Sequence, residues 1–145
     1  MQIAALLYRL SITFWTGGIT LFTFILTPVL FKTLSRDHAG QIVGILFPGY
    51  FRWGLACGAI ALISRLIMRS SALAPVILLV VMLALTSFQA FSIEPRAAAL
   101  KQQIPSFDTT PRDHPLRKEF SKLHGISASC NLVVVAGGIA LVVML

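Results

Sequence analysis

From Ala72 to Ile93 the chain carries no acidic or basic residue, and it then reads Glu94-Pro95-Arg96. At a rise of 1.5 Å per residue this run makes about 30 Å of helix, the thickness of a bilayer's hydrocarbon core. An ionisable pair where such a helix leaves the lipid is costly to place. Glu94 and Arg96 are therefore candidates for function. The plainer reading is an interfacial anchor.

Composition extends the membrane reading to the whole chain. Of its residues 57% are hydrophobic and 12% are charged, and mean hydropathy is +0.85. A soluble domain of this length needs more charge on its surface. Apolar segments fill the chain from end to end, which predicts one domain over residues 1–145. The expected fold is an all-α integral membrane protein, an antiparallel bundle of four transmembrane helices. They run at about Ile3–Leu30, Ala39–Met68, Ala72–Gln103 and Pro115–Leu145. The N-terminus does not read as a cleavable signal, because the apolar run from Leu10 to Phe31 is too long for a signal core.

Four crossings put both termini on one side. With them lie Arg9, Arg65 and Arg69; the connections on the opposite side hold Lys32, Arg36, Arg96, Lys101, Arg112, Arg117, Lys118 and Lys122. Cytoplasmic loops concentrate Lys and Arg, so the first and third connections are expected in the cytoplasm and both termini outside, in a plasma or inner membrane. The basic residues do not interleave with aromatics or form a nucleic-acid module, so no nucleic-acid partner is expected.

Helices three and four should project beyond the lipid as a hairpin. Ala97 to Gln103 are good helix formers, residues 104–114 with Pro105 and Pro111 read as a loop, and Pro115 suits a first helical position. Glu94 lies nine residues before Gln103, and His124 nine residues after Pro115. Each is thus about 13 Å from the loop, which sets them face to face at the membrane boundary. Pro95 removes a backbone hydrogen bond, frees the carbonyl of Phe91 and can kink the helix.

In the second helix, Phe47-Pro48-Gly49-Tyr50 reads as an irregularity after an interfacial segment capped by Ser35. The spanning part then runs from Pro48 to Met68, with Arg52 one turn inside the boundary and able to snorkel. A straight helix from Gln41 would set Arg52 at mid-membrane, at about 2.5–3.5 kcal/mol on insertion scales. Gly40/Gly44 and Gly54/Gly58 have the spacing of close helix packing. They are compatible with a homo-oligomer without indicating one.

His124, Ser127 and Asn131 share one face of the fourth helix. They serve either interhelical hydrogen bonds or the wall of a polar cavity capped by Glu94, Arg96 and Arg52. The sulfur atoms of Cys130, Met82 and Cys57 fall at successive depths, as a relay for a soft metal such as Cu(I) or platinum would need. Ordinary packing is the plainer role of such residues. The two cysteines differ too much in depth to pair. No nucleophile elbow, phosphate loop or intramembrane carboxylate pair is present, so no enzyme and no cofactor are expected. A haem or quinone redox protein is the remaining catalytic alternative, although His124 lacks a second axial ligand.

Leu46-Phe47-Pro48-Gly49-Tyr50-Phe51, Ile93-Glu94-Pro95-Arg96, Leu116-Arg117 through Phe120, and His124-Gly125-Ile126-Ser127 with Cys130-Asn131-Leu132 resemble, in order, the transmembrane protein 205 family. Its animal member is associated with cisplatin resistance. The resemblance implies a four-helix membrane protein in which Phe47, Pro48, Tyr50, Pro95, Phe120 and Gly125 belong to motifs. It further implies a sulfur-based export relay in which Cys130 is the best match and Cys57 a looser one.

Taken together, these features predict a small transporter or efflux protein for a soft metal species or small solute. Glu94 would attract a cation, Arg96 orient Glu94, and His124 switch protonation near neutral pH, with Asn131 and Cys130 below. The alternative is a non-catalytic scaffold whose basic hairpin meets anionic lipid headgroups.

Overall fold

A computed structural model describes residues 2–69 and 71–145. It contains four helices long and apolar enough to cross a membrane: α1 (Gln2–Thr33), α2 (Arg36–Ile67), α3 (Ala74–Gln103) and α4 (Pro115–Val143). Each packs on its neighbour in the chain, and α4 closes back on α1. The all-α antiparallel bundle expected from hydropathy is the fold, and the helix limits fall within a few residues of those predicted.

The core follows from spacing. Tyr8, Ile12, Trp15 and Ile19 recur every three or four residues on α1 and form one buried stripe. They meet Cys57 and Ala61 of α2, Leu79 and Met82 of α3, and Val134, Val135 and Leu141 of α4. Gly58 lets the helices close on Trp15, since a Cβ there would lie 2.7 Å from the indole and 2.5 Å from Leu83. Large apolar side chains such as Ile3, Phe14, Ile45, Leu73, Phe91 and Val143 cover the outside. In water that surface would drive aggregation, whereas in hydrocarbon it is the solvated face.

Two turns depart from α-geometry, and each lies just ahead of a proline. Residues Phe22–Leu26 form a π-turn before Thr27-Pro28, and Gln89–Ile93 form another before Glu94-Pro95. A proline in a helix lacks an N–H and presses its ring on the carbonyl four residues back. A π-turn inserts one extra residue upstream and absorbs that misfit. The defect expected at Pro95 is thus a π-turn; its counterpart on α1 was not foreseen.

Pro48 behaves otherwise. The irregularity predicted at Phe47–Tyr50 is absent, and α2 continues as one α-helix from Arg36 to Ile67. The reason is local packing. Phe47 stacks on Phe51 with centroids 5.6 Å apart, and Tyr50 lies 4.5 Å from Phe22 of α1. These rings share one face of α2 and hold it to the bundle on either side of Pro48 in the chain, while Pro48 itself lies on the exposed face. Ser35 caps the helix as predicted, its hydroxyl accepting from the His38 N–H at 3.3 Å.

Candidate functional site

The two π-turns sit at one level, and polar side chains meet there. Tyr50 of α2 donates to Asn131 Oδ1 at 2.5 Å. The Asn131 amide donates in turn to Thr23 Oγ1, in the α1 π-turn, at 2.5 Å. One helical turn away, Ser127 donates to Gln89 Oε1, in the α3 π-turn, at 3.0 Å. Gln89 is only 1% exposed. This junction joins all four helices by side-chain hydrogen bonds. It borders a small cavity of about 10 Å³ lined by Trp15, Tyr50, Gln89 and Asn131 among others.

Above the junction the helices part. A cleft of about 900 Å³ opens between α2, α3 and α4 and reaches α1 at Thr27 and Phe31. Glu94 and His124 stand on its α3 and α4 walls, with Ser127 near its floor. His124 stacks almost parallel to Phe120, their ring planes 6° apart. Lys101 seats its ammonium end against Gly40 and Gly44, where a Cβ would lie 3.6 and 3.3 Å from Nζ, and donates to the Gly40 carbonyl. Here the Gly40/Gly44 spacing seats a lysine.

A reciprocal clamp roofs the cleft. The first backbone N–H groups of α2 have no partner within the helix. Asp108 from the loop accepts from two of them, Arg36 N–H at 3.0 Å and Asp37 N–H at 3.2 Å. Asp37 answers by accepting from Ser106 Oγ and from Phe107 N–H, both at 2.6 Å. The exchange sets Phe107 over the mouth, 4.9 Å from Phe120, with Arg117 stacked above it at 5.5 Å.

The residues singled out from sequence divide among these places. Glu94, His124 and Ser127 line the cleft, and Asn131 belongs to the junction below it. Arg52 and Arg96 are exposed and line neither cavity. Cys57 and Met82 pack in the apolar core; Cys130 is half-buried and lines neither cavity. Among the described residues no group of three or more His, Cys, Asp or Glu side chains is placed to hold a metal ion. Sequence reasoning missed Gln89, Thr23, Lys101 and the Asp37–Asp108 clamp. Gln89 carried a signal, as the lone amide in the uncharged run of α3. The clamp carried none, because its partners are 71 residues or more apart in its backbone contacts with Asp108.

Fold and site together define a small α-helical membrane protein with a cleft at its basic end. The chain belongs to the family described as a domain of unknown function (DUF4149), which it matches over residues 10–106. It is 31% identical over 123 residues to an uncharacterized protein of Aquifex aeolicus (strain VF5), an alignment covering 85% of this chain and 82% of that protein. No solved structure matches it. Membership of this family corrects the likeness to the transmembrane protein 205 family. Half of the motifs behind that likeness, Leu116 to Phe120 and His124 to Leu132, lie outside residues 10–106. The others are short Pro-containing stretches within membrane-spanning helices. The platinum-export role went with that likeness and is dropped.

The junction predicts a measurable loss. Asn131→Leu removes two interhelical bonds and leaves the hydroxyls of Tyr50 and Thr23 with only each other. Such bonds average about 0.6 kcal/mol and reach about 1.7 kcal/mol in membrane proteins. Asn131→Leu should therefore lower stability by about 1–2 kcal/mol in a denaturation series in mild detergent. Cys130→Ala, its neighbour outside the junction, should change little. Equal stability of Asn131→Leu and wild type would show that the junction carries no weight.

Proposed function

We propose that this protein moves a small solute across the membrane, with the cleft as its binding chamber and the junction as the chamber's floor. The observation behind this reading is the cleft itself. Its volume lies in the range of small-molecule sites, and it brings Glu94, His124 and Ser127 onto facing walls. Below it the path narrows to hydrogen-bonded side chains at the two π-turns, where the helices have the least regular backbone. A gate needs such a place, because a π-turn can shift its register with little loss of helix.

A soft-metal cargo is the weaker form of the proposal. A relay needs sulfur atoms facing a path, yet Cys57 and Met82 pack against Trp15 and Leu79 in the core. The chamber offers instead one carboxylate, one imidazole, hydroxyls and several cations. That donor set suits an organic solute.

On the same reading the chamber faces the cytoplasm. Lys32, Arg36, Lys101, Arg112, Arg117, Lys118 and Lys122 cluster at the cleft end, against Arg9, Arg65 and Arg69 at the other. Reporter fusions that are active only outside the cytoplasm should be active at both termini. Inactive fusions at both would invert the assignment.

Transport is tested with proteoliposomes loaded with labelled organic anions, cations and neutral solutes. At least one class should exit several-fold faster than from empty liposomes. Ala97→Trp, which fills the cleft from α3, should cut that rate about tenfold, the equivalent of about 1.4 kcal/mol. Rates matching empty liposomes for every class would defeat the transport reading.

A further inference from the structure

The cleft changes chemistry along its length. Six ionisable residues line it: Arg36, Lys101, Arg112 and Arg117 at the mouth, and Glu94 and His124 midway. Four cations thus face one carboxylate. The nearby Asp37 and Asp108 do not offset them fully, since both carboxylates are engaged on backbone N–H groups and Ser106 in the clamp. Below the mouth the wall becomes aromatic and aliphatic through Phe47, Phe51, Ile93 and Phe120.

Depth matches this gradient to the bilayer. Glu94 is twenty residues from the start of α3, and His124 nineteen from the end of α4. Both therefore stand about 30 Å from the terminal end of the bundle, at the edge of the hydrocarbon. Lys101 and Arg117 lie seven residues farther along their helices, about 10 Å beyond, where lipid headgroups reside. By the same rise Phe47 and Ile93 stand at the hydrocarbon edge and Phe51 about one turn inside it, so the apolar wall reaches the depth at which acyl chains begin. A small soluble anion would meet the cations but leave that wall without a partner.

We infer that the cleft binds an anionic lipid, with its acidic head at the basic mouth and its hydrocarbon chain along the aromatic wall. Lys101 is the central contact. Its ammonium end sits against Gly40 and Gly44, and its hydrogen bond to Gly40 uses one of three ammonium donors. The other two can make charge-assisted bonds to a phosphate or carboxylate in the cleft that Lys101 lines. Arg36 and Arg112 are exposed at the rim and add attraction that salt screens. Glu94 opposes the head and marks how deeply it can sit. This inference rests on the cleft as a binding chamber, and it names the chemical class that the chamber takes.

The test is equilibrium binding of radiolabelled oleoyl lysophosphatidic acid to the full chain in phosphatidylcholine nanodiscs, against empty discs. Saturation near one lipid per chain is expected, at least about tenfold tighter than for oleoyl lysophosphatidylcholine, which has the same tail without net charge. Glycerol phosphate, the head without the tail, should not compete. Arg36→Gln combined with Arg112→Gln, both at exposed positions, should weaken binding several-fold, and Lys101→Met about tenfold or more. Glu94→Gln should leave binding as tight or tighter. Equal affinity for the two lysolipids, effective competition by glycerol phosphate, or binding no greater than in empty discs would each overturn the inference. Because no gradient is involved, failure here together with flux blocked by Ala97→Trp would leave the transport reading standing. Binding without flux would do the reverse.

Discussion

Everything above the core of this bundle depends on one asparagine. Asn131 accepts from Tyr50 and donates to Thr23, so a single side chain in α4 fixes the spacing of α1 and α2. In an apolar surround such bonds are modest in energy but demanding in geometry, because an unpaired amide there has no water to turn to. The Ser127–Gln89 bond extends the same constraint to α3. Below this level the helices close on Trp15 and the glycines. Above it they diverge and the cleft begins.

The two prolines explain why the junction falls where it does. Pro28 and Pro95 each force a π-turn, and each π-turn contributes a polar side chain, Thr23 or Gln89, to the interior. An inserted residue rotates the helix beyond it by a fraction of a turn. Lys101 and Phe31 thereby come to the cleft from helices whose lower halves serve the core. At the far end of the cleft the Asp37–Asp108 exchange closes the loop over the mouth by supplying acceptors to the bare start of α2. Junction and clamp bracket the cavity from below and above.

Much of this was legible in the chain. Three uncharged runs of bilayer length and a fourth apolar run broken by Arg52 gave four helices, because hydrocarbon thickness leaves little latitude in where a span begins and ends. The nine-residue offsets of Glu94 and His124 from the loop set both on the cleft, because rise per residue is constant. Pro48 reads as a break from its own chemistry, whereas the rings of Phe47, Tyr50 and Phe51 hold the opposite face of α2 to the bundle through it. Arg52 and Arg96 looked like partners of Glu94 by register, yet they are exposed outside both cavities. Two residues on from Glu94, Arg96 falls nearly opposite it around the helix, and Arg52 lies on the exposed face of the unbroken α2. The clamp joins segments far apart in sequence, and no local pattern announces such a contact.

The central claim is that a chamber lined by α2, α3 and α4 descends from the basic end to the junction, and not merely that four helices span a membrane. Substituted cysteines in proteoliposomes test it most directly, read as the rate of reaction with a small membrane-impermeant maleimide. With the two native cysteines removed, Cys at Ser121 and Ser127, which line the cleft, should react readily. Cys at Leu132 or Val133, on the exposed outer face of the same helix, should be protected by lipid. Protection at Ser121 and Ser127 equal to that at Val133 would mean that the helices close above Asn131 and that the chamber does not exist in the membrane.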